Sequence, residues 1–240
     1  MPSVRPSLQF LIRALTKIWP ARCHVCGARS GEAPVCDMCV ADVPELPAQR
    51  CALCGLPTVR GATCGRCLHR LPHFDATCAA FVYAFPVREL LLSLKAGHGF
   101  ELAGWFAAHM AHAWPTERVN AIVAMPLHRR RLRERGFNQS MELARRIGRS
   151  VGVPVWMHAV ERVRDTPHQT GLRLRGRRNN LRGAFACTRR FDGLHVVVVD
   201  DVMTSGTSCD ELARVLKRAG ARRVTCMVAA RTLAVRRAPA

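Results

Sequence analysis

The feature that most constrains this chain is a repeated cysteine pattern near its start. Cys23, Cys26, Cys36 and Cys39 recur at a constant offset as Cys51, Cys54, Cys64 and Cys67. Both copies read C-x2-C-G-x8-C-x2-C, with Gly27 and Gly55 in the same place. Two residues between cysteines let one tight turn aim both sulfurs at a single metal, and the glycine permits the positive φ such a turn often needs. Four thiolates suit tetrahedral Zn2+. Sequential sites (23/26/36/39 and 51/54/64/67) are the preferred pairing; interleaved sites (23/26 with 51/54, 36/39 with 64/67) are the alternative. Redox chemistry is disfavoured, because four consecutive CxxC pairs stand outside a βαβ context. Neither site offers an open position or a general base, so both zincs are expected to be structural. A segment this short hardly folds without them. His24, His69 and His73 are surplus to four-cysteine sites and read as surface residues.

Charge narrows the partners. Among 240 residues, 37 Lys+Arg face 17 Asp+Glu, a formal net charge of +20. Such a chain calls for a polyanion: nucleic acid, a phosphorylated metabolite or anionic lipid. Only three of the cations are lysines (Lys17, Lys95, Lys217). A GC-rich genome explains part of that ratio but not the net charge, and arginine's planar fork suits phosphate. An apolar share of 49% excludes wholesale disorder. Within residues 1–20, Leu8, Leu11, Ile12, Leu15 and Trp19 recur at helical spacing. This amphipathic helix is expected to dock on the protein, with a membrane surface as the minor option. It is too short and too charged for a signal peptide or a membrane span, so no integral membrane segment is expected. Cytoplasmic residence is the expectation, and reduced thiols there favour metal over disulfides.

Residues 21–70 form the expected double zinc ribbon, and residues 71–235 the main domain. In the latter, strands are expected at 76–83, 121–125, 153–156, 195–199 and 224–229, and helices at 87–95, 101–113, 138–148 and 211–220. The 195–199 run, HVVVV, is β-branched and apolar on both faces, as a central parallel strand requires. Alternation of strands and helices predicts an α/β fold: an open, mostly parallel sheet carrying a small N-terminal zinc-ribbon module with four-cysteine sites. Cys78, Cys187, Cys209 and Cys226 read as small core residues.

The informative site is VVVVDDVMTSGTS, residues 196–208. An apolar strand ends in Asp200 and Asp201; Thr204, Ser205, Gly206, Thr207 and Ser208 follow, and then a helix. In open α/β sheets, ligands bind beyond the carboxyl ends of the strands. A helix N-terminus there presents free N–H groups and a positive dipole end to a phosphate. Gly206 allows close backbone approach, and the hydroxyls add donors. Two carboxylates cannot bind that same phosphate, but they suit vicinal hydroxyls. The pattern asks for a phosphorylated sugar. No Walker A ending and no G-x-G-x-x-G is present. The bland alternative is that the two acids merely cap the next helix.

This segment resembles the phosphoribosyl-pyrophosphate (PRPP) motif of type I phosphoribosyltransferases. The whole chain resembles the ComF family, linked to bacterial competence and use of external DNA. The likeness runs from the Cys-rich head through MPLHRRRLRERGFNQS (125–140) and RVRDTPHQTGLRLRGRRNNLRGAF (162–185) to the PRPP motif. One departure is Ser208, where the family usually has Thr; the hydroxyl is retained. The resemblance implies that Asp200 and Asp201 bind the ribose 2′- and 3′-hydroxyls, and that residues 204–208 hold the 5′-phosphate. It places pyrophosphate at Pro126, Leu127, His128 and Arg129, with Mg2+ riding on pyrophosphate and ribose oxygens. A pentosyltransferase, acting by displacement at the anomeric carbon, is the implied activity.

HRRRLRERGFNQS is expected to be an exposed basic loop. Either it is a solvated face, or it closes over a polyphosphate with Arg135, Gly136, Phe137, Asn138 and Gln139 as its working end. The Arg-rich 162–180 stretch could wrap a nucleotide or track a nucleic-acid backbone. Trp105, Phe137 and Trp156 are the candidates for base stacking, each better read as core. Residues 84–115, with His98, His109 and His112, are the candidate hood over an acceptor. Three functions fit: phosphoribosyl or nucleotide chemistry in DNA uptake, a single-stranded-DNA-binding module, and an adaptor whose ribbons dock a DNA-uptake helicase.

Overall fold

The computed structural model describes residues 21–97, 99–165 and 181–233. The expected N-terminal helix, His98 and most of the 162–180 stretch lie outside them.

A four-stranded sheet organises the chain. Its strands are β3 (Ala76–Val82), β8 (Arg223–Arg231), β7 (His195–Met203) and β4 (Ala121–Ala124), in that spatial order, all parallel. The valine run makes β7 a central strand. Its side chains alternate between faces: Val197 and Val199 join one buried cluster, Val196 and Val198 the other. One face is covered by α3 (Val87–Lys95), α4 (Phe100–His112) and α6 (Gln139–Val151), whose Leu90, Leu94, Phe106, Met110, Leu143 and Ile147 are buried there. The other is covered by α7 (Thr207–Arg218), through Leu212, Ala213 and Leu216. A hairpin of β5 (Val160–Arg162) and β6 (Phe185–Cys187) packs beside it.

Several expected elements differ. Residues 153–156 form only a single parallel bridge, Val155 to Ile122, flanked by Ile122 N–H to Pro154 O at 2.9 Å and Trp156 N–H to Ile122 O at 2.8 Å. Pro154 cannot donate, so the segment cannot build a ladder. The basic "loop" is a helix, α5 (Arg129–Arg135), with no buried residue. The candidate hood is instead a core layer, since α3 and α4 lie against the sheet.

The cysteine segment holds β1 (Ala21–Arg22), β2 (Arg29–Gly31) and the short helices α1 (Asp37–Ala41) and α2 (Gly65–His69). It is no appendage. Cys23, Val35 and Cys39 belong to the core on the α3/α4 face, while Cys51, Cys54 and Cys67 belong to the core on the α7 face. Thr77 on edge strand β3 is met by the second knuckle: its N–H donates to Ala52 O (3.3 Å) and its hydroxyl to Leu53 O (2.6 Å). That covers an edge otherwise open to pairing. His24, His69 and His73 are exposed, as expected of surface residues, and two of them also make docking contacts. His24 Nε2 lies 2.6 Å from Glu101 Oε1, and His73 Nδ1 lies 2.9 Å from Asp210 Oδ1. Among the described residues no helix is long and apolar enough to cross a membrane.

Candidate functional site

The ladder between β4 and β7 stops at Ala124–Val199, whereas β7 stays paired with β8 through Met203. Asp200 and Asp201 therefore lie within a strand, on the stretch where its β4 side is free. Both are nearly buried, 9% and 6% exposed. Asp200 Oδ1 accepts from Ser140 Oγ at 3.0 Å and from Asp201 N–H at 2.9 Å. Asp201 Oδ2 accepts from Gln139 Nε2 at 3.1 Å and pairs with Lys95 Nζ at 2.7 Å. Burial, then the neighbouring Asp201, push the Asp200 carboxyl up to about 7. Burial opposes a charge on Lys95, but Asp201 outweighs it and holds the ammonium above its ordinary value.

Each partner comes from a different element. Lys95 ends α3, which brings its amine across to β7. Asn138 caps α6, accepting from Ser140 N–H (3.0 Å) and Met141 N–H (3.4 Å), and donates to Met125 O at 3.1 Å. That cap places Gln139 and Ser140 over the acids. Arg135 Nη1 donates to Gln139 Oε1 at 2.7 Å, so Arg135, Gln139, Asp201 and Lys95 form one chain of contacts. A cleft of about 320 Å3 between Lys95, Ala96, Arg131, Glu134 and Arg135 opens beside it. Pro126 is buried, and Leu127, His128 and Arg129 continue β4 into α5. His128 is the N-cap, its Nδ1 accepting from Arg130 N–H at 3.4 Å. Gly136, at φ +79°, ends α5.

Beyond β7, Gly206 caps α7 at φ +77°. Ser205 Oγ and Thr207 Oγ1 lie 2.8 Å apart, with Thr204 exposed and Ser208 half-buried. The helix begins at Thr207, ahead of the expected 211, so the hydroxyl-rich loop is itself the helix start. Sequence reasoning brought these residues together but missed Lys95 and Ser140. Lys95's rarity as a lysine was a signal. Ser140 stood inside a quoted motif without a role. Phe137 packs on Phe100 (5.3 Å), Trp105 stacks on Phe81 (5.1 Å), and Arg189 covers Trp156 (3.7 Å), so each of the three rings is engaged by a neighbour, while Phe137 and Trp156 also line a cavity of about 520 Å3.

The eight cysteines resolve into two sequential groups, 23/26/36/39 and 51/54/64/67, each with its sulfurs within 4.8 Å of one another. Gly27 (φ +73°) and Gly55 (φ +70°) make the knuckle turns, their N–H groups donating to Cys23 O and Cys51 O. Burial opposes ionisation of Cys23, but backbone N–H donors of Cys26, Cys36 and Val25 outweigh it and bring the thiol down to about 6; Cys51 is likewise held at about 7. Burial and the neighbouring sulfurs push Cys39 and Cys67 the other way, yet four sulfurs gathered this closely fit structural Zn2+, whose charge favours the thiolates.

A double zinc ribbon domain model matches residues 14–68, and a phosphoribosyl transferase domain model matches residues 134–239. The DNA utilization protein YhgH of Escherichia coli is 36% identical over 164 residues, 63% of this chain and 70% of that protein. Competence protein F of Haemophilus influenzae is 35% identical over 103 residues, 42% of this chain and 45% of that protein. Among solved structures, glutamine PRPP amidotransferase from B. subtilis aligns at 19% identity and TM-score 0.37, over 52% of this chain and 26% of that one. With its ribbons, its parallel sheet and its aspartate pair in place, the chain belongs to the family of DNA utilization protein YhgH and competence protein F, a double zinc ribbon joined to a phosphoribosyltransferase-type domain.

Proposed function

We propose that the chain binds PRPP, with Mg2+, at the C-terminal edge of its sheet, and transfers the phosphoribosyl group in the use of external DNA. One observation carries the reading: a buried aspartate pair on the open flank of β7, just ahead of a hydroxyl-lined loop that leads into a helix start. Asp200 and Asp201 bind the ribose diol, residues 204–208 take the 5′-phosphate, and residues 126–129 with Arg135 receive pyrophosphate. The cleft beside Lys95, Arg131 and Arg135 supplies cations for that leaving group. In the reaction the anomeric C–O bond to pyrophosphate breaks and a bond to the acceptor forms. The acceptor loses a proton, and pyrophosphate leaves with the bonding pair. Positive charge develops on the ribose ring, so catalysis rests on orienting the sugar and neutralising the leaving group. The names of the two relatives support the setting in DNA use.

Calorimetric titration with Mg-PRPP tests the reading. The wild-type chain is expected to bind, and the Asp200→Asn/Asp201→Asn double variant to lose binding; a wild-type chain that does not bind would overturn it. A second reading, a grip on single-stranded DNA, is favoured by α5, whose Arg129, Arg130 and Arg133 all face solvent. It predicts DNA affinity that falls steeply with salt; salt-independent or absent binding counts against it.

A further inference from the structure

The second cysteine knuckle and the 204–208 loop share a cleft. Its walls include Arg66 and Arg70 from the knuckle and Ser205, Gly206 and Thr207 from the loop. Arg66 Nη2 lies 3.8 Å from the point where a side chain on Gly206 would begin. Among the described residues its guanidinium has no hydrogen-bond or ion-pair partner. The acid in the cleft, Asp210, is taken by His73, whose backbone N–H and ring lie 2.7 and 2.9 Å from its Oδ1.

A second guanidinium converges on the same place from beneath. Arg231, at the end of β8, is fully buried. Its Nε donates to Cys54 O at 2.8 Å, and its Nη1 donates to Met203 O at 2.7 Å and to Thr204 O. Its Nη2 is buried without a partner. Two like charges thus meet at residues 203–206, and the one carboxylate lining the cleft, Asp210, is already held by His73.

We propose that Arg66 is a phosphate ligand: the second zinc ribbon completes the 5′-phosphate subsite, and the ligand class is a sugar phosphate whose monoester anion bridges Arg66 and the start of α7. This rests on the reading of residues 204–208 given above. The cleft itself has room for about one water (about 20 Å3), so the phosphate lies at its mouth, where Arg66 is exposed. Arg231 is the strut that ties the Cys54 turn to the loop backbone and so sets the spacing between Arg66 and Gly206.

The test titrates the zinc-loaded full chain with ribose 5-phosphate and with Mg-PRPP, alongside Arg66→Ala, Arg66→Lys and Arg29→Ala. Arg29 is an exposed cation on the first ribbon, so its removal costs the same formal charge away from the loop. Arg66→Ala is expected to weaken both ligands roughly tenfold to a hundredfold. Arg66→Lys should recover part of that loss, and Arg29→Ala should leave both affinities unchanged. Zinc content should remain two per chain in every variant, which separates a lost contact from a lost fold. Equal weakening by Arg66→Ala and Arg29→Ala, or wild-type affinity in Arg66→Ala, would overturn the proposal. A wild-type chain that binds neither ligand would instead bring down the parent reading of the site.

Discussion

Asp200→Asn is expected to stabilise the chain, and by an amount that grows with pH. A carboxyl held at about 7 in the folded chain costs stability as it ionises. With an unfolded value of about 3.9, the cost is absent below about pH 4, grows through the window up to about 7, and is constant above it. From the folded value of about 7, the cost is about 3 kcal/mol at pH 6 and about 4 kcal/mol at pH 8.5. Asparagine carries none of it, and its amide oxygen can still accept from Ser140 Oγ and the Asp201 N–H. The stability difference between variant and wild type should therefore widen by about 1 kcal/mol between the two pH values. Urea unfolding of both proteins at each pH measures it, and any pH effect on zinc retention is common to both and cancels. An unchanged difference, or one that narrows with pH, would show that Asp200 is not the proton-holding member of this pair. The same substitution should abolish PRPP binding, the trade of stability against function expected of a strained site.

Three further outcomes follow from the contacts. Lys95→Met leaves Asp201 buried beside a second acid without its ammonium; a loss of about 2 kcal/mol is expected at pH 8, and less at pH 6 where Asp200 is protonated, read by the same unfolding assay. Gly148→Ala places a methyl 2.6 Å from Val155 Cγ2 and 2.8 Å from Val153 O; thermal melting should show about 1–3 kcal/mol of destabilisation. A chelator should strip the 23/26/36/39 centre first, because Cys26 is exposed while Cys51, Cys54 and Cys67 are buried. Release followed with a zinc dye should be biphasic, and Cys26→Ser should remove the fast phase; a fast phase that persists would contradict this order.

What the sequence made legible was local and periodic. The valine run declared its own burial, and the cysteine repeat declared its ligands, though not their pairing, which is a property of folded distance. The Asp–Asp–hydroxyl segment put acids and hydroxyls in order beyond the sheet because strand, loop and helix are contiguous there. Helix α5 escaped notice for a physical reason. It buries nothing, so it has no apolar stripe to display, yet Arg, Leu and Glu are strong helix formers, and His128 and Gly136 cap its ends. The early start of α7 escaped because Thr207 and Ser208 favour turns as readily as helix starts. Lys95, Arg66 and Arg231 lie far from Asp201 and Gly206 along the chain, and no pattern in a single sequence encodes that approach.

The ribbons are inseparable from the sheet for a reason of coverage. A four-stranded parallel sheet must hide two faces and blunt its edges. Here α3, α4 and α6 hide one face and α7 with the β5–β6 hairpin the other, and the two cysteine centres fill what remains, one in each core. The Ala52–Cys54 turn lies along the outer edge of β3 and is tied by Arg231 to the backbone of residues 203 and 204. An adaptor that can be cut off at residue 70 would present none of these contacts. Removing residues 1–70 would uncover edge β3, empty part of both cores and take Cys54 O from the Arg231 guanidinium, at a cost of several kcal/mol. The cysteine centres are therefore coupled to the 204–208 loop through packing: the second one holds the loop's floor in place, and whatever loosens it loosens the proposed phosphate seat above.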